Sequence, residues 1–177
     1  MINLNVWAVR LLSATIGVVL LAFVVILATR ESGNGAASSS PLIGELVPAV
    51  TGESLNGTNF DIDEFSNRWA LINFFASWCT PCKAEHHLFF EIKKEKPELF
   101  IFGISYKDNP NDSKKFLKEE GNPYSFVGID QDGKIGFEFG VFGLPETFII
   151  NNKSQIIFKH TGPLTREIID NEITKLF

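Results

Sequence analysis

Trp78-Cys79-Thr80-Pro81-Cys82 holds both cysteines of the 177-residue chain and stands where an apolar strand gives way to a helix. The run before it, WALINFFA from Trp69 to Ala76, is almost continuously apolar, which suits a strand buried on both faces. The run after it reads as a helix. Pro81 fits the first turn, where its missing N–H costs nothing; Ala84, Leu88 and Ile92 recur as a buried stripe, and Pro97 marks the end. Cys79 therefore falls at a helix N-terminus, where unpaired N–H groups and the positive end of the macrodipole stabilise a thiolate. Cys79 is the expected nucleophile. Cys82, one turn along, is placed to close a disulfide with it or to resolve a mixed one. The other readings are a structural disulfide and half of a zinc site. A disulfide closing so short a loop removes little chain entropy, and no second cysteine pair exists for zinc, so redox chemistry is the better reading.

Outward from this centre, the N-terminus carries a separate segment. From Leu11 to Ala28 the eighteen residues LLSATIGVVLLAFVVILA contain no charge, which is long enough for a transmembrane helix. Residues 1–29 read as a membrane anchor, with a cleaved secretory signal as the alternative; both export the remainder of the chain. Residues 30–41, RESGNGAASSSP in the main, are small and polar and read as a flexible linker. Residues 42–177 are one globular domain. Setting aside Arg10, Arg30 and Glu31 from the chain's 16 basic and 21 acidic residues leaves this domain 14 and 20, a net charge of −6. Such a domain has no basic footprint for nucleic acid or anionic lipid. The 17 phenylalanines are scattered, as core filling or coding bias would scatter them.

Within the domain, Leu42 to Phe65 is punctuated by Gly and Asn, with Phe60 and Ile62 alternating, and predicts an N-terminal hairpin. Leu99 to Tyr106 predicts a second apolar strand, parallel to the first if the helix is a crossover. Asp112 and Ser113 offer caps for a short helix ended by Gly121, and Ser125 to Ile129 predicts a strand. Asp130-Gln131-Asp132-Gly133 reads as a turn; it resembles part of a calcium loop but lacks the remaining ligands, including the closing glutamate. A short helix, a Gly-Leu-Pro turn, strands Thr147 to Ile150 and Gln155 to Lys159, and a last helix capped by Thr165 with Ile169, Ile173 and Leu176 on one face complete the chain. The class is α/β, a central mixed sheet flanked by helices.

A CxxC between buried strand and helix, followed some sixty residues on by an X-Pro before a hairpin, is similar to the thioredoxin fold over about Leu42 to Phe177. WCTPCKAEH, GISYKD, DGKIGFEFGVFGLPETF and the N-terminal apolar segment together resemble the CcmG/DsbE group, membrane-tethered thiol:disulfide reductases of cytochrome c maturation. The resemblance implies a thioredoxin-like mixed sheet with an N-terminal β-hairpin extension and one transmembrane helix. It implies a cis Leu144-Pro145 bond, which would set Pro145 against the cysteines and leave the Leu144 backbone free to pair with an extended peptide. It implies no cofactor and no metal beyond the redox-active Cys79-Cys82 disulfide. The partners implied are apocytochrome c, or a thiol protein presenting it, and a membrane electron-donor thiol reductase of the CcdA/DsbD kind. The location implied is the inner membrane, with the catalytic domain on the periplasmic side.

One position departs from ordinary thioredoxin. Where that family carries a buried aspartate, six residues before the first cysteine, this chain has Asn73, which exchanges no proton. Glu85, one turn past Cys82, and Glu146, directly after Pro145, are the available carboxylates, against the alternative that both are solvated surface acids. Negative charge from both near the cysteines would disfavour the thiolate and make the site an electron donor. Lys107 and Asp108 are expected at the site's rim. His86, His87 and His160 are expected to face solvent or pack at edges, with the helix turning His86 outward. Two further readings stay open: a general extracytoplasmic reductase of the TlpA or ResA kind, and a metal-binding module in which Cys79, Cys82 and His86 offer ligands to copper or zinc. The Sco-like copper proteins of this fold instead separate their cysteines by three residues and use a distant histidine, a pattern this chain lacks.

Overall fold

The computed structural model describes residues 6–30, 40–65 and 67–176. The chain divides into two units, and the helix of the first is α1, Val6–Arg30. Among the described residues no helix is long and apolar enough to cross a membrane; the described side chains of α1 stop at Ile26. Most of the expected linker, residues 31–39, lies outside the described residues.

The second unit is built on seven strands: β1 Thr51–Ser54, β2 Asn59–Asp61, β3 Ala70–Phe75, β4 Phe100–Tyr106, β5 Phe126–Asp130, β6 Glu146–Ile150 and β7 Ile156–Thr161. They form one sheet in the order β2-β1-β5-β4-β3-β6-β7, with β3, β4 and β5 parallel and the other pairings antiparallel. The expected N-terminal hairpin is β1 and β2, and it extends the sheet beyond β5. The central strand β3 is buried along its whole length, as its unbroken apolar run requires.

Helices cover both faces. α2 (Thr80–Glu95), α3 (Pro110–Glu119) and the C-terminal turns that begin with α5 (Arg166–Ile168) pack Leu88, Phe89, Ile92, Phe116, Ile169 and Ile173 against Leu71 and Phe75 of β3, Ile101 of β4 and Ile149 of β6. The short α4 (Lys134–Glu138) packs with Phe139 on the other face, against Ile72 and Phe74 of β3, Phe102 of β4 and Phe148 of β6. Six phenylalanines, Phe74, Phe75, Phe89, Phe102, Phe139 and Phe148, are among the largest fully buried side chains. At about 1.5–3 kcal/mol each for burial, they are core filling and not a binding surface.

Three local expectations are corrected. Ala84 is exposed, and the buried face of α2 is Cys82, Glu85, His86, Leu88, Phe89 and Ile92. α3 is capped by Asn109, whose side chain accepts from the Asn111 N–H, and Ser113 points inward instead. The last helix is not a single α-helix: after α5 it widens into a π-turn, Ile169–Ile173, and closes in a 3-10 turn, Thr174–Leu176. That winding still buries Ile169 and Ile173, so hydrophobic burial set the result where helical period did not.

Candidate functional site

β3 ends at Phe75, and the chain turns through Ala76, Ser77 and Trp78 to enter α2. Cys79 is the N-cap of α2, and Pro81 sits in its first turn. The N–H of Cys82 donates to Cys79 Sγ at 3.2 Å, and the two residues are joined as a disulfide with Cα atoms 5.3 Å apart. An anionic sulfur at Cys79 would thus meet a backbone N–H and the positive end of a sixteen-residue helix. Both cysteines are only 3% exposed, whereas the neighbouring Trp78 is 61% exposed.

The turn is braced from β4. Asp108 is buried and accepts from the Ser77 N–H at 2.7 Å, Ser77 Oγ at 2.9 Å and Ser113 Oγ at 2.6 Å. The Lys107 carbonyl accepts the Trp78 indole N–H at 3.2 Å, from a residue whose φ of +48° turns the chain at the strand end. Lys107 and Asp108 therefore do lie beside the cysteine turn, and the acid works as a buried brace.

Glu85 is 1% exposed, not a solvated acid, and shares the buried face of α2 with Cys82 one turn before it. Its Oε1 accepts from Asn73 Nδ2 at 3.0 Å and its Oε2 from the Leu164 N–H. Asn73 also donates to Thr147 Oγ1 at 3.2 Å and accepts the Tyr124 hydroxyl at 2.9 Å. Burial pushes the Glu85 carboxyl up from 4.5 to about 7, with the Leu164 and Asn73 hydrogen bonds holding it partly down. A carboxyl poised there is able to exchange protons near neutral pH, and it lies one turn from Cys82. Asn73 exchanges no proton itself; its amide N–H holds the Glu85 carboxyl.

Leu144-Pro145 is cis, and Leu144 packs against the cluster that contains both cysteines. Glu146 is fully buried but does not join Glu85. Successive residues of a strand point to opposite faces. Thr147 reaches Asn73 on the cysteine face, so Glu146 lies on the other, where Phe148 and Ile150 pack. There its Oε2 is 3.0 Å from Nζ of Lys159, which is 5% exposed, and its Oε1 accepts the N–H groups of Phe142 and Gly143 at 2.8 and 3.3 Å. Lys159 Nζ in turn donates to the Gly140 carbonyl at 2.8 Å. The ion pair builds the loop, residues 140–143, that leads into cis Pro145. Of the two carboxyl groups expected around the cysteines, Glu85 alone lies on their side of the sheet.

His86 is not turned outward. It is 5% exposed, with Nε2 2.9 Å from the Gly121 carbonyl oxygen and its ring 4.8 Å from that of Phe116, and burial lowers its pKa. His87 is exposed, and His160 is half-buried with its ring stacked on Phe158. With His86 Nε2 engaged at Gly121 and both sulfurs in the disulfide, the copper-ligand arrangement is not assembled. Among the described residues no group of three His, Cys, Asp or Glu is placed to hold a metal ion.

Tyr124, Thr147, Leu164 and Lys159 are brought to their partners by the tertiary structure. Lys159 alone left a signal, as a lysine inside the apolar run IIFKH. The partners of Asn73 come from three distant segments and leave none. Beside the site, Tyr106, Lys107, Phe137, Val141 and Phe142 line a groove of about 690 Å³. Phe137 and Phe142 stand 80% and 94% exposed there.

A redoxin family model matches residues 42–175. The thiol:disulfide interchange protein HelX of Rhodobacter capsulatus is 37% identical over 142 residues, covering 79% of this chain and 80% of its own. The thiol:disulfide interchange protein DsbE of Escherichia coli is 36% identical over 141 residues, covering 78% and 75%. Among solved structures, a thiol:disulfide interchange protein of the thioredoxin family from Chlorobium tepidum superimposes with a TM-score of 0.64 at 20% identity, covering 78% of this chain and 98% of that one. That likeness shows the same fold.

Proposed function

Because the chain belongs to the redoxin family, among the DsbE-type thiol:disulfide interchange proteins, we propose that this oxidoreductase is an extracytoplasmic reductase of cytochrome c maturation. Its work is to keep the haem-attachment cysteines of apocytochrome c, or of a thiol protein presenting them, reduced. One observation carries the direction of electron flow: a buried carboxyl poised near neutrality lies one turn from Cys82, so negative charge opposes the thiolate state and favours giving electrons away.

In the cycle, the reduced Cys79 thiolate attacks a substrate disulfide; one substrate sulfur leaves as a thiolate and takes a proton, and the other stays bonded to Cys79. Cys82 then passes its proton to Glu85, attacks Cys79 Sγ and releases the second substrate thiol, closing the Cys79-Cys82 disulfide. Two electrons have moved from protein to substrate. A membrane thiol reductase of the CcdA/DsbD kind returns them by the same exchange. Trp78, the Leu144 backbone and the groove beside Phe142 are where an extended substrate peptide would lie.

Residues 1–29 serve as anchor, residues 30–41 as tether and residues 42–177 as the catalytic domain on the periplasmic side. The uncharged Leu11 to Ala28 run within α1 supports this division. Deleting the gene is expected to abolish covalent haem attachment to c-type cytochromes, and a small added thiol is expected to restore it. Normal c-type cytochromes in the deletion strain, with defects in other disulfide proteins, would instead assign the chain to the general TlpA or ResA role.

A further inference from the structure

The amide of Asn73 is held from three sides. Its two N–H groups go to Glu85 Oε1 and Thr147 Oγ1, and its Oδ1 receives the Tyr124 hydroxyl at 2.9 Å. Turned end for end, the amide would set Oδ1 against the carboxylate oxygen of Glu85, two acceptors with no hydrogen between them. The Tyr124 O–H would then point at an NH2 group. Among the described residues, Asn73 Oδ1 is the hydrogen-bond partner the Tyr124 hydroxyl has.

The ring that carries this hydroxyl is itself fixed. Tyr124 is 5% exposed and stacks on Phe75 with ring centroids 4.9 Å apart. It crosses β4 at Gly103, where a Cβ would come within 2.9 Å of the Tyr124 Cγ. The glycine is required there by close approach and not by its backbone angle.

We propose that Tyr124 is a positioning residue for proton transfer at Cys82: its hydroxyl locks the Asn73 amide with its N–H groups toward Glu85 and so keeps Glu85 in the form that accepts the proton. This rests on the reading of Glu85 as the acceptor. The titratable groups around Glu85 are Cys82 one turn before it on α2, His86 beside it, whose Nε2 is engaged with the Gly121 carbonyl, and Tyr124. From β3, β6 and the segment before α5 the facing groups are the uncharged Asn73, Thr147 and Leu164 N–H. Burial and the Glu85 charge both push the Tyr124 phenol upward, so it keeps its proton and stays a donor throughout the range in which Glu85 titrates.

Tyr124→Phe keeps the ring and removes the lock. The full chain, reduced, is mixed with an aromatic nitrobenzoate disulfide whose thiolate product is coloured. The first thiolate released reports the mixed disulfide on Cys79, and the second reports its resolution by Cys82. In Tyr124→Phe the pH midpoint of the second step is expected to move up by about one pH unit, as release of the Asn73 amide weakens its charge-assisted N–H hydrogen bond to Glu85, with the first step unchanged. Gly103→Ala, which crowds the ring without altering a polar group, is expected to move it the same way. Tyr124→Phe added to Glu85→Gln is expected to change nothing further. A midpoint in both Tyr124→Phe and Gly103→Ala equal to that of the wild type, while Glu85→Gln abolishes it, would overturn the role of Tyr124 and leave that of Glu85 standing. A midpoint that survives in Glu85→Gln would overturn both.

Discussion

Cys82→Ser is expected to accumulate a covalent complex with substrate through Cys79, while Cys79→Ser accumulates much less and reduces disulfides no faster than the uncatalysed exchange. The asymmetry follows from position. Cys79 caps α2 and its sulfur already accepts a backbone N–H, so its thiolate is stabilised before any substrate arrives. Cys82 lies inside the first turn and its ionisation depends on a neighbouring acceptor for the proton. A serine at position 82 leaves the first exchange intact and removes the sulfur that would undo it. Denaturing electrophoresis without reductant reads the adduct directly. Equal adduct on both variants would remove the distinction between nucleophile and resolving cysteine.

Lys159→Met is expected to be strongly destabilising although it lies far along the chain from the cysteines. Glu146 is fully buried and Lys159 is its counter-ion at 3.0 Å, so the substitution strands a carboxylate in the core. Breaking a buried pair from one side costs about 3–5 kcal/mol, which for a domain of this size lowers Tm by roughly 10 °C or more. Glu146→Gln added to Lys159→Met is expected to recover much of that loss. The neutral side chain still accepts from the N–H groups of Phe142 and Gly143, and no charge is left unpaired. Thermal unfolding of the two single variants and the double variant forms the cycle. A change under about 0.5 kcal/mol on Lys159→Met would mean the pair is solvated and does not shape the loop before Pro145.

The contrast between Glu85 and Glu146 shows which features are legible in the sequence and which are not. The strand, the cysteine turn, the helix and the N-terminal hairpin can be read from apolar runs and punctuation, because burial of those runs leaves few alternatives. Glu85 can be read too, since three residues along a helix is one turn, whatever the tertiary structure. Glu146 cannot. It follows Pro145 and therefore looks close to the cysteines, but one residue along a strand is the opposite face of the sheet. Its partner Lys159 is supplied by the register of β6 against β7, a tertiary fact.

His86 is misplaced by sequence reasoning for a related reason. Counting apolar residues puts the buried stripe of α2 on Ala84, Leu88 and Ile92, whereas the face that meets the sheet includes Glu85 and His86. Both polar groups find partners in segments far away, at Leu164 and Gly121. A hydrophobic pattern has no way to register a buried group that is satisfied from elsewhere.

Whether Glu85 or solvent takes the proton from Cys82 is decided by single-turnover resolution of the Cys79 mixed disulfide across pH in wild type and Glu85→Gln. Because the carboxyl titrates near 7 and the carboxylate is the accepting form, the wild-type rate is expected to rise with pH through that value. Glu85→Gln is expected to lose this inflection and to resolve about a hundredfold more slowly above neutrality, with formation of the mixed disulfide unchanged. Superimposable resolution profiles for the two proteins would mean that solvent, and not Glu85, takes the proton.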